Sequence, residues 1–259
     1  MSNIIDHNRD YIVVKSNKLV LQTRYNYTVQ QQKMIAYICS RLNPNCKNLD
    51  FKMPILEYLR IMNIPKSGFA YEEVKSNLQE LANKSMWLTT EDGKKMTLVR
   101  WLSKVKIDPE TKEIYYRLDE DLVPYLFELK DFFFSYTLRE IINFKSKYSI
   151  RIYELLKSEF DKKTHRFNDR KYIFIKYSIE EFKDFLMIEQ EQYKEFRDFK
   201  RRVLLPAKNE INKLSNAIFF DFETIKEGKK VVGIKLIVRN KLLDEKISTI
   251  IDNNNLYKT

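Results

Sequence analysis

Apolar residues recur every three or four positions in several stretches of this sequence, and the clearest stretch runs from Tyr193 to Lys213. Drawn as a helix, it gathers six apolar side chains on one stripe: Phe196, Phe199, Val203, Ala207, Ile211 and Leu214. Cations and amides occupy the other arcs. The pattern predicts a helix that packs on a core by one face and presents positive charge on the other.

The first half of the chain alternates between helical and strand patterns. A short strand over residues 11–14 is followed by a helix that Thr28 caps and by a strand over residues 49–53. Two amphipathic helices follow, at residues 55–64 and 71–86, separated by a turn at Pro65 to Gly68. Next come residues 86–90 and 96–107, which read as a β-hairpin, and a strand over residues 113–118.

The second half begins with two helical patterns, residues 135–144 and residues 146–160. A strand over residues 171–177 leads to Ser178, and Glu181 lies three positions later, as in a capping box. A short helix, the long helix described above and a second hairpin complete this half.

The same order of predicted elements therefore occurs twice in the chain. Residues 51–64 and 71–85 match residues 175–188 and 193–215, and each pair leads to a hairpin with Gly-Lys-Lys at its tip. Strand, helix, turn, helix and basic hairpin is the layout of a winged helix-turn-helix. The sequence predicts an α+β protein of tandem winged helix-turn-helix domains, at residues 10–130 and 131–240, with a polar tail at 241–259.

The charge of the chain favours a polyanionic partner. Lys and Arg number 47 against 36 for Asp and Glu, which gives a net charge of +11. The chain is also rich in Ile, Asn, Tyr and Phe, as an AT-rich coding sequence produces, and such bias raises the Lys content without a functional reason. Charge alone therefore suggests nucleic acid without establishing it.

No set of residues predicts catalysis, a metal site or a cofactor. The four glycines form neither a Walker loop nor a dinucleotide fingerprint. His7 and His165 are far apart, and Cys39 and Cys46 are too few for a disulfide framework. The acidic run Asp119 to Asp121 suits the start of a helix better than a metal. We expect a protein that is not an enzyme.

The sequence contains no stretch that predicts membrane insertion or export. No apolar run approaches the roughly 18 residues that cross a bilayer. The N-terminal residues lack the basic and then apolar pattern of a secretory signal. We expect a cytoplasmic protein.

Duplex DNA is the partner that the repeated layout favours. In a helix-turn-helix the second helix enters the major groove, where Arg or Lys meets guanine and Asn meets adenine. The lysines at the hairpin tips would reach flanking phosphates. The alternative for each residue is a solvated surface side chain. The predicted contacts are Lys194, Arg197, Lys200, Arg201, Arg202, Lys208, Asn209, Asn212, Lys229, Lys230, Lys94 and Lys95.

Five stretches of the sequence carry a family resemblance. They are VVKSNKLV at 13–20, SYTL at 135–138, INFKSKYSIRIYELLK at 142–157, FKRRVLLPAKNEIN at 199–212 and EGKKVVGIKLIV at 227–238. In order and spacing, they resemble the replication initiator proteins of iteron-bearing, theta-replicating plasmids.

The resemblance implies two winged-helix domains that bind repeated origin sequences. It further implies monomers that open the origin and recruit the host initiator and helicase, and dimers that repress their own gene. The second domain would be the main DNA reader, and the first would carry the dimer contact with an auxiliary DNA contact.

The residues leave one other function open and argue against another. A phage or chromosomal transcription regulator could use the same paired modules at one operator. A rolling-circle nicking enzyme requires a pair of metal-binding histidines one residue apart, which this sequence lacks.

Overall fold

The structure is a computed structural model that describes residues 11–43, 48–89, 94–127, 129, 133–164 and 172–241. The chain divides into two compact units, Met1–Asn143 and Phe144–Thr259. The sequence pattern placed this division earlier, between residues 130 and 131. Expectations for His7, Cys46, His165, the turn at residues 91–93 and the tail after 241 lie outside the described residues.

Unit 1 mixes short helices with short strands. Its helices are α1 Asn17–Leu21, α2 Val29–Ser40, α3 Ile55–Ile61, α4 Gly68–Asn83 and α5 Val123–Leu126. Its strands are β1 Ile12–Ser16, β2 Thr23–Arg24, β3 Asp50–Pro54, β4 Ser85–Thr89, β5 Met96–Arg100, β6 Leu102–Asp108, β7 Glu113–Leu118 and β8 Phe133–Thr137. They form the pair β1-β8 and two three-stranded sheets, in the orders β2-β4-β5 and β3-β7-β6.

Unit 2 has a simpler order. It contains α6 Lys147–Thr164, β9 Tyr172–Ser178, α7 Ile179–Phe185, a long helix α8 over residues 196–214, β10 Ile218–Glu227 and β11 Lys230–Asn240. The three strands form one antiparallel sheet in the order β10-β11-β9. Val203, Ala207 and Ile211 of α8 and Leu236 of β11 are completely buried and contribute to the core.

Local sequence signals explain where several helices begin. The Thr28 and Ser178 hydroxyls each accept a hydrogen bond from the backbone N–H three residues later. The side chains of Gln31 and Glu181 in turn accept a hydrogen bond from the backbone N–H of Thr28 and Ser178. These are the two reciprocal bonds of a capping box, so both predicted helix starts are confirmed. Ser67 caps α4 in the simpler form, through the Ala70 N–H.

The repeat predicted from the sequence is present in both units as a shared topology. Unit 1 contains β3, α3, α4, β6 and β7 in the same order as β9, α7, α8, β10 and β11 of unit 2. The sheets match as well, because the last strand lies between the other two in each. Each unit is therefore a winged helix-turn-helix, and the predicted α+β tandem fold is confirmed.

In unit 1 the hairpin that corresponds to the β10–β11 hairpin of unit 2 is not the one predicted from the sequence. By topology the wing of unit 1 is β6–β7, whereas Lys94 and Lys95 precede β5 in the β4–β5 hairpin of another sheet. Residues 96–107, predicted as one arm, break at the buried Trp101 into β5 and β6. The matching Gly-Lys-Lys tips were therefore a coincidence of sequence.

A second correction concerns residues 135–144, which were predicted to be helical. Residues 135–137 instead belong to β8, which pairs with β1 and leads to the 3-10 turn Leu138–Glu140. Phe134 and Tyr136 are buried while their neighbours are partly exposed, which is the alternation of a strand. This pairing with β1 holds the segment in unit 1 and accounts for the later division of the chain.

Candidate nucleic-acid interface

The helix α8 is continuous but changes its winding. Phe196–Phe199 is α-helical, Lys200–Leu204 is a π turn, and Leu205–Leu214 is α-helical again. Within the π turn the Leu205 N–H donates to the Lys200 carbonyl, five residues earlier. Pro206 has no N–H to donate, so a regular α-helix would lose a bond at this point. The wider turn coincides with that interruption and buries both Val203 and Leu204.

The C-terminal end of α8 is fixed to its surroundings by polar side chains. Asn212 donates from Nδ2 to the Phe220 carbonyl over 2.8 Å and accepts the Phe220 N–H at Oδ1 over 2.7 Å. The Glu210 carboxylate accepts hydrogen bonds from the backbone N–H groups of Lys145 and Ser146, just before α6. Lys241 donates to the carbonyls of Asn212 and Ser215 as the helix ends. These contacts hold α8 against β10 and α6.

The turn before α8 is also held in place. Lys183 of α7 is only 4% exposed, and its Nζ donates to the carbonyls of Gln190 and Gln192 over 3.3 and 2.9 Å. Burial lowers the pKa of Lys183, and the negative charge of Glu191 opposes that effect. Tyr193 adopts a left-handed backbone with φ of 54°. Burial, assisted by a hydrogen bond with Tyr193, raises the pKa of Tyr148 to about 12.

The outer face of α8 carries the predicted contacts whose side chains have no partner among the described residues. Arg197, Lys200, Arg202 and Asn209 are exposed, and their side chains make no hydrogen bond or ion pair with the residues that the structure describes. Lys200, which lies close to the buried stripe in the sequence pattern, is exposed as well. An external ligand can bind these groups without breaking a polar contact to the part of the chain that the structure describes.

Three further predicted contacts are engaged in ion pairs. Exposed Arg201 Nη2 lies 2.9 Å from Asp198 Oδ1, one turn earlier. Lys194 pairs with Glu191 before the helix begins. Such exposed pairs contribute about 0–1 kcal/mol each, so a phosphate can replace the carboxylate. Lys208 is half-buried and donates to Asp221 Oδ1 over 2.6 Å, and it faces β10.

Asn212 has a structural role in this chain. Both ends of its amide bond the backbone of Phe220, which is on the edge strand β10. An amide that satisfies two backbone groups is not free to read a base. We therefore leave Asn212 out of the interface.

The wing of unit 2 presents lysines at its tip. Gly228 adopts φ of 59°, a left-handed conformation that suits glycine in a tight hairpin turn. Lys229 and Lys230 are exposed beside it. Lys94 and Lys95 are exposed too, but they belong to the β4–β5 hairpin of unit 1.

Two exposed cations near this face are not among the predicted contacts. Lys213 lies four residues after Asn209 on the same face of α8, and Lys226 lies at the β-bulge next to the wing tip. The four-residue spacing from Asn209 could have identified Lys213. The sequence pattern places Lys226 in the turn of this hairpin, but the bulge beside it is a feature of strand pairing that local spacing does not specify.

The equivalent helices of the two units have opposite charge. Helix α8 contains six Lys and Arg residues and two Asp and Glu residues. Helix α4 contains one Lys and three Glu residues. Glu72 and Glu80 of α4 are exposed. A polyanion would therefore be attracted by α8 and repelled by α4.

The described residues contain neither a metal site of this kind nor a membrane-spanning helix. Within them, no three His, Cys, Asp or Glu side chains are grouped closely enough to hold a metal ion. In the same part of the chain, no helix is both long and apolar enough to cross a membrane.

Comparisons with known proteins were consistent across sequence and fold. Residues 12–157 match the family described as Initiator Replication protein, WH1, and residues 178–238 match Initiator Rep protein, WH2. A "Replication initiation protein" of Escherichia coli is 33% identical over 213 residues, which cover 80% of this chain and 64% of that protein. The chain thus spans less than two thirds of the length of this curated relative.

The fold also matches a solved structure. The structure titled "Crystal structure of Pi initiator protein in complex with iteron DNA" aligns with a TM-score of 0.72 and 18% identity. The alignment covers 90% of this chain and 98% of that one. At this identity, the similarity establishes the fold.

Proposed function

The chain belongs to the initiator Rep protein family, and from this premise we propose that it binds repeated double-stranded DNA sites at a plasmid origin to initiate replication. The observation that carries the proposal is the outer face of α8, where Arg197, Lys200 and Arg202 are exposed without partners among the described residues. A solved relative of the same fold holds iteron DNA. The chain would act by binding and not by catalysis.

In this proposal α8 is the major-groove reader. Arg and Lys side chains meet guanine or phosphate there, and Asn209 has the amide that recognises adenine. The π turn and Pro206 lie within the reading segment, and π turns occur often at functional sites. The buried stripe of α8 and the fixed turn before it supply the rigidity that base reading requires.

The wing of unit 2 would position the protein along the duplex. Lys229 and Lys230 can reach phosphates that flank the groove, and such contacts supply affinity without sequence information. Replacing both by Ala should weaken binding equally for all duplexes. The same change at Lys94 and Lys95 should have the smaller effect, because their hairpin is not the topological wing of unit 1.

Footprinting on the DNA that surrounds the gene tests the proposal. Regularly spaced protected segments are expected, together with replication of a plasmid whose own initiator has been deleted. One protected operator without replication would favour the transcription regulator instead. Uniform coating of the DNA would contradict specific binding altogether.

Self-association through unit 1 forms a second part of the proposal. Strand β5 is at the edge of its sheet, and Met96 and Leu98 are 63% and 55% exposed. Trp87, 46% exposed, lies directly opposite Leu98 on β4. An apolar edge strand is a favourable surface for pairing with a second copy. Dimers of this kind would repress the gene, while monomers would open the origin.

A charge on the edge strand tests this association. Leu98→Lys should shift the chain toward monomer in sedimentation velocity, because a lysine on an edge opposes pairing. The control Leu56→Lys alters an exposed leucine on α3 of the same unit. Equal effects of the two variants would argue against the β5 edge as the contact.

Host proteins complete the proposed partners. By family membership we assign the host replication initiator and helicase as ligands of the DNA-bound monomer. Because plasmid DNA and these proteins are cytoplasmic in bacteria, the proposal also assigns the chain to the cytoplasm.

A further inference from the structure

An exposed leucine lies at the centre of the cationic face of α8. Four-residue steps along the helix give the row Arg197, Arg201, Leu205, Asn209 and Lys213, and every member is exposed. Leu205 is 36% exposed, and it is the one large apolar side chain of α8 with that degree of exposure. All its neighbours in the row are charged or amide side chains, so this position stands out chemically.

Leu205 stands apart from the buried stripe of α8. The nearby core residues Leu204 and Ala207 are completely buried, whereas Leu205 is 36% exposed. A single exposed leucine is common on protein surfaces and needs no explanation by itself. Its position between the arginines and the asparagine of a DNA-reading face distinguishes it from a scattered surface residue.

The backbone at Leu205 lies within the continuous helix α8. Its N–H closes the π turn on the Lys200 carbonyl, and its own φ of −67° and ψ of −45° are helical. The helix therefore sets the direction of its Cα–Cβ bond. A rigidly placed apolar group is suited to a specific contact.

The major groove offers one apolar feature to such a group. Guanine, adenine and cytosine present hydrogen-bonding atoms there, whereas thymine also presents its C5-methyl group. We propose that Leu205 is a specificity-determining residue that packs against the methyl group of a thymine in each origin repeat. This inference rests on the proposed function of α8 and adds a defined base to the recognised sequence.

Replacing thymine with deoxyuridine tests the contact because it removes the methyl group and leaves base pairing unchanged. The full chain is titrated against duplexes that carry the footprinted repeat, with one thymine replaced in each. At one position the wild-type affinity should fall about fourfold, the change expected for one methyl-sized group returned to water. Leu205→Ala should lose affinity for the natural repeat and lose the response to that replacement.

Two control variants separate the contact from general effects. Leu205→Met keeps an apolar side chain of similar size and should retain the response to deoxyuridine. Leu56→Ala truncates an exposed leucine outside α8 and should behave as wild type. Both variants replace exposed side chains, so folding is preserved and can be checked by circular dichroism.

The outcomes distinguish the inference from the function on which it rests. If the repeat binds no better than a scrambled duplex, the proposed function and the leucine contact both fail. If the repeat binds specifically but no thymine shows a response that depends on Leu205, the leucine contact alone is overturned. A response lost only in Leu205→Ala supports the inference.

Discussion

Asn209 and Asn212 provide a direct test of how α8 is used. They are the same residue type, three positions apart on one helix, and the sequence pattern predicts both as DNA contacts. The structure separates them: Asn209 is exposed, while the Asn212 amide bonds Phe220 at both ends. We expect Asn212→Ala to lower stability and Asn209→Ala to lower DNA affinity.

The size of the stability effect follows from the two hydrogen bonds. Each contributes about 1 kcal/mol net, and truncation leaves the N–H and carbonyl of buried Phe220 without that partner. Both substitutions gain about 0.5 kcal/mol of helix propensity, which cancels in their difference. Asn212→Ala should therefore unfold about 2 kcal/mol more easily than Asn209→Ala.

Urea denaturation followed by far-UV circular dichroism measures this difference. Both tryptophans, Trp87 and Trp101, lie in unit 1, so tryptophan fluorescence does not report on α8 directly. DNA affinity is measured at one salt concentration by fluorescence anisotropy with the repeat duplex. Asn209→Ala should bind about tenfold more weakly, as expected for a lost base contact, and Asn212→Ala within about twofold of wild type.

Two results would refute this reasoning. Equal stabilities of the variants would mean that the Asn212 bonds do not hold α8 to β10. A larger loss of affinity in folded Asn212→Ala than in Asn209→Ala would mean that Asn212 contacts DNA despite its hydrogen bonds to Phe220.

Other substitutions test the interface and the core. Arg202→Ala should reduce the slope of log affinity against log salt by about 1, whereas Lys176→Ala, an exposed cation on β9, should leave it unchanged. Gly233→Ala should cost about 1–3 kcal/mol in urea denaturation, because its Cβ would lie 2.7 Å from the Tyr177 carbonyl oxygen. Phe199→Ala should cost about 3–5 kcal/mol in the same measurement, because the ring is completely buried; a loss below 1 kcal/mol would contradict its assigned position.

Sequence periodicity was sufficient for the helices and hairpins whose signals are local. The caps at Thr28 and Ser178 lie within three residues of their partners, and the stripe of α8 repeats over five turns. Such signals depend on neighbouring residues alone, so they can be read from the chain without its fold.

Strand partners were beyond the reach of the sequence. Residues 135–137 follow a pattern that fits a helix, yet β8 forms because β1, far away in the chain, supplies its hydrogen bonds. The β4–β5 hairpin shares its Gly-Lys-Lys tip with the wing of unit 2, but pairing assigns the wing of unit 1 to β6–β7. Similar tips therefore misled the comparison of the two halves.

The sequence by itself determined the doubled layout, the basic charge and the identity of the long helix with its buried stripe, because these depend on composition and local spacing. Only the tertiary structure decided which polar residues of that helix remain available to a ligand. Asn212 and Lys208 turn to β10, while Arg202, Leu205 and Asn209 face outward. The physical reason is that the sequence specifies which groups can form hydrogen bonds, whereas the fold determines which of them lie close enough to bond each other.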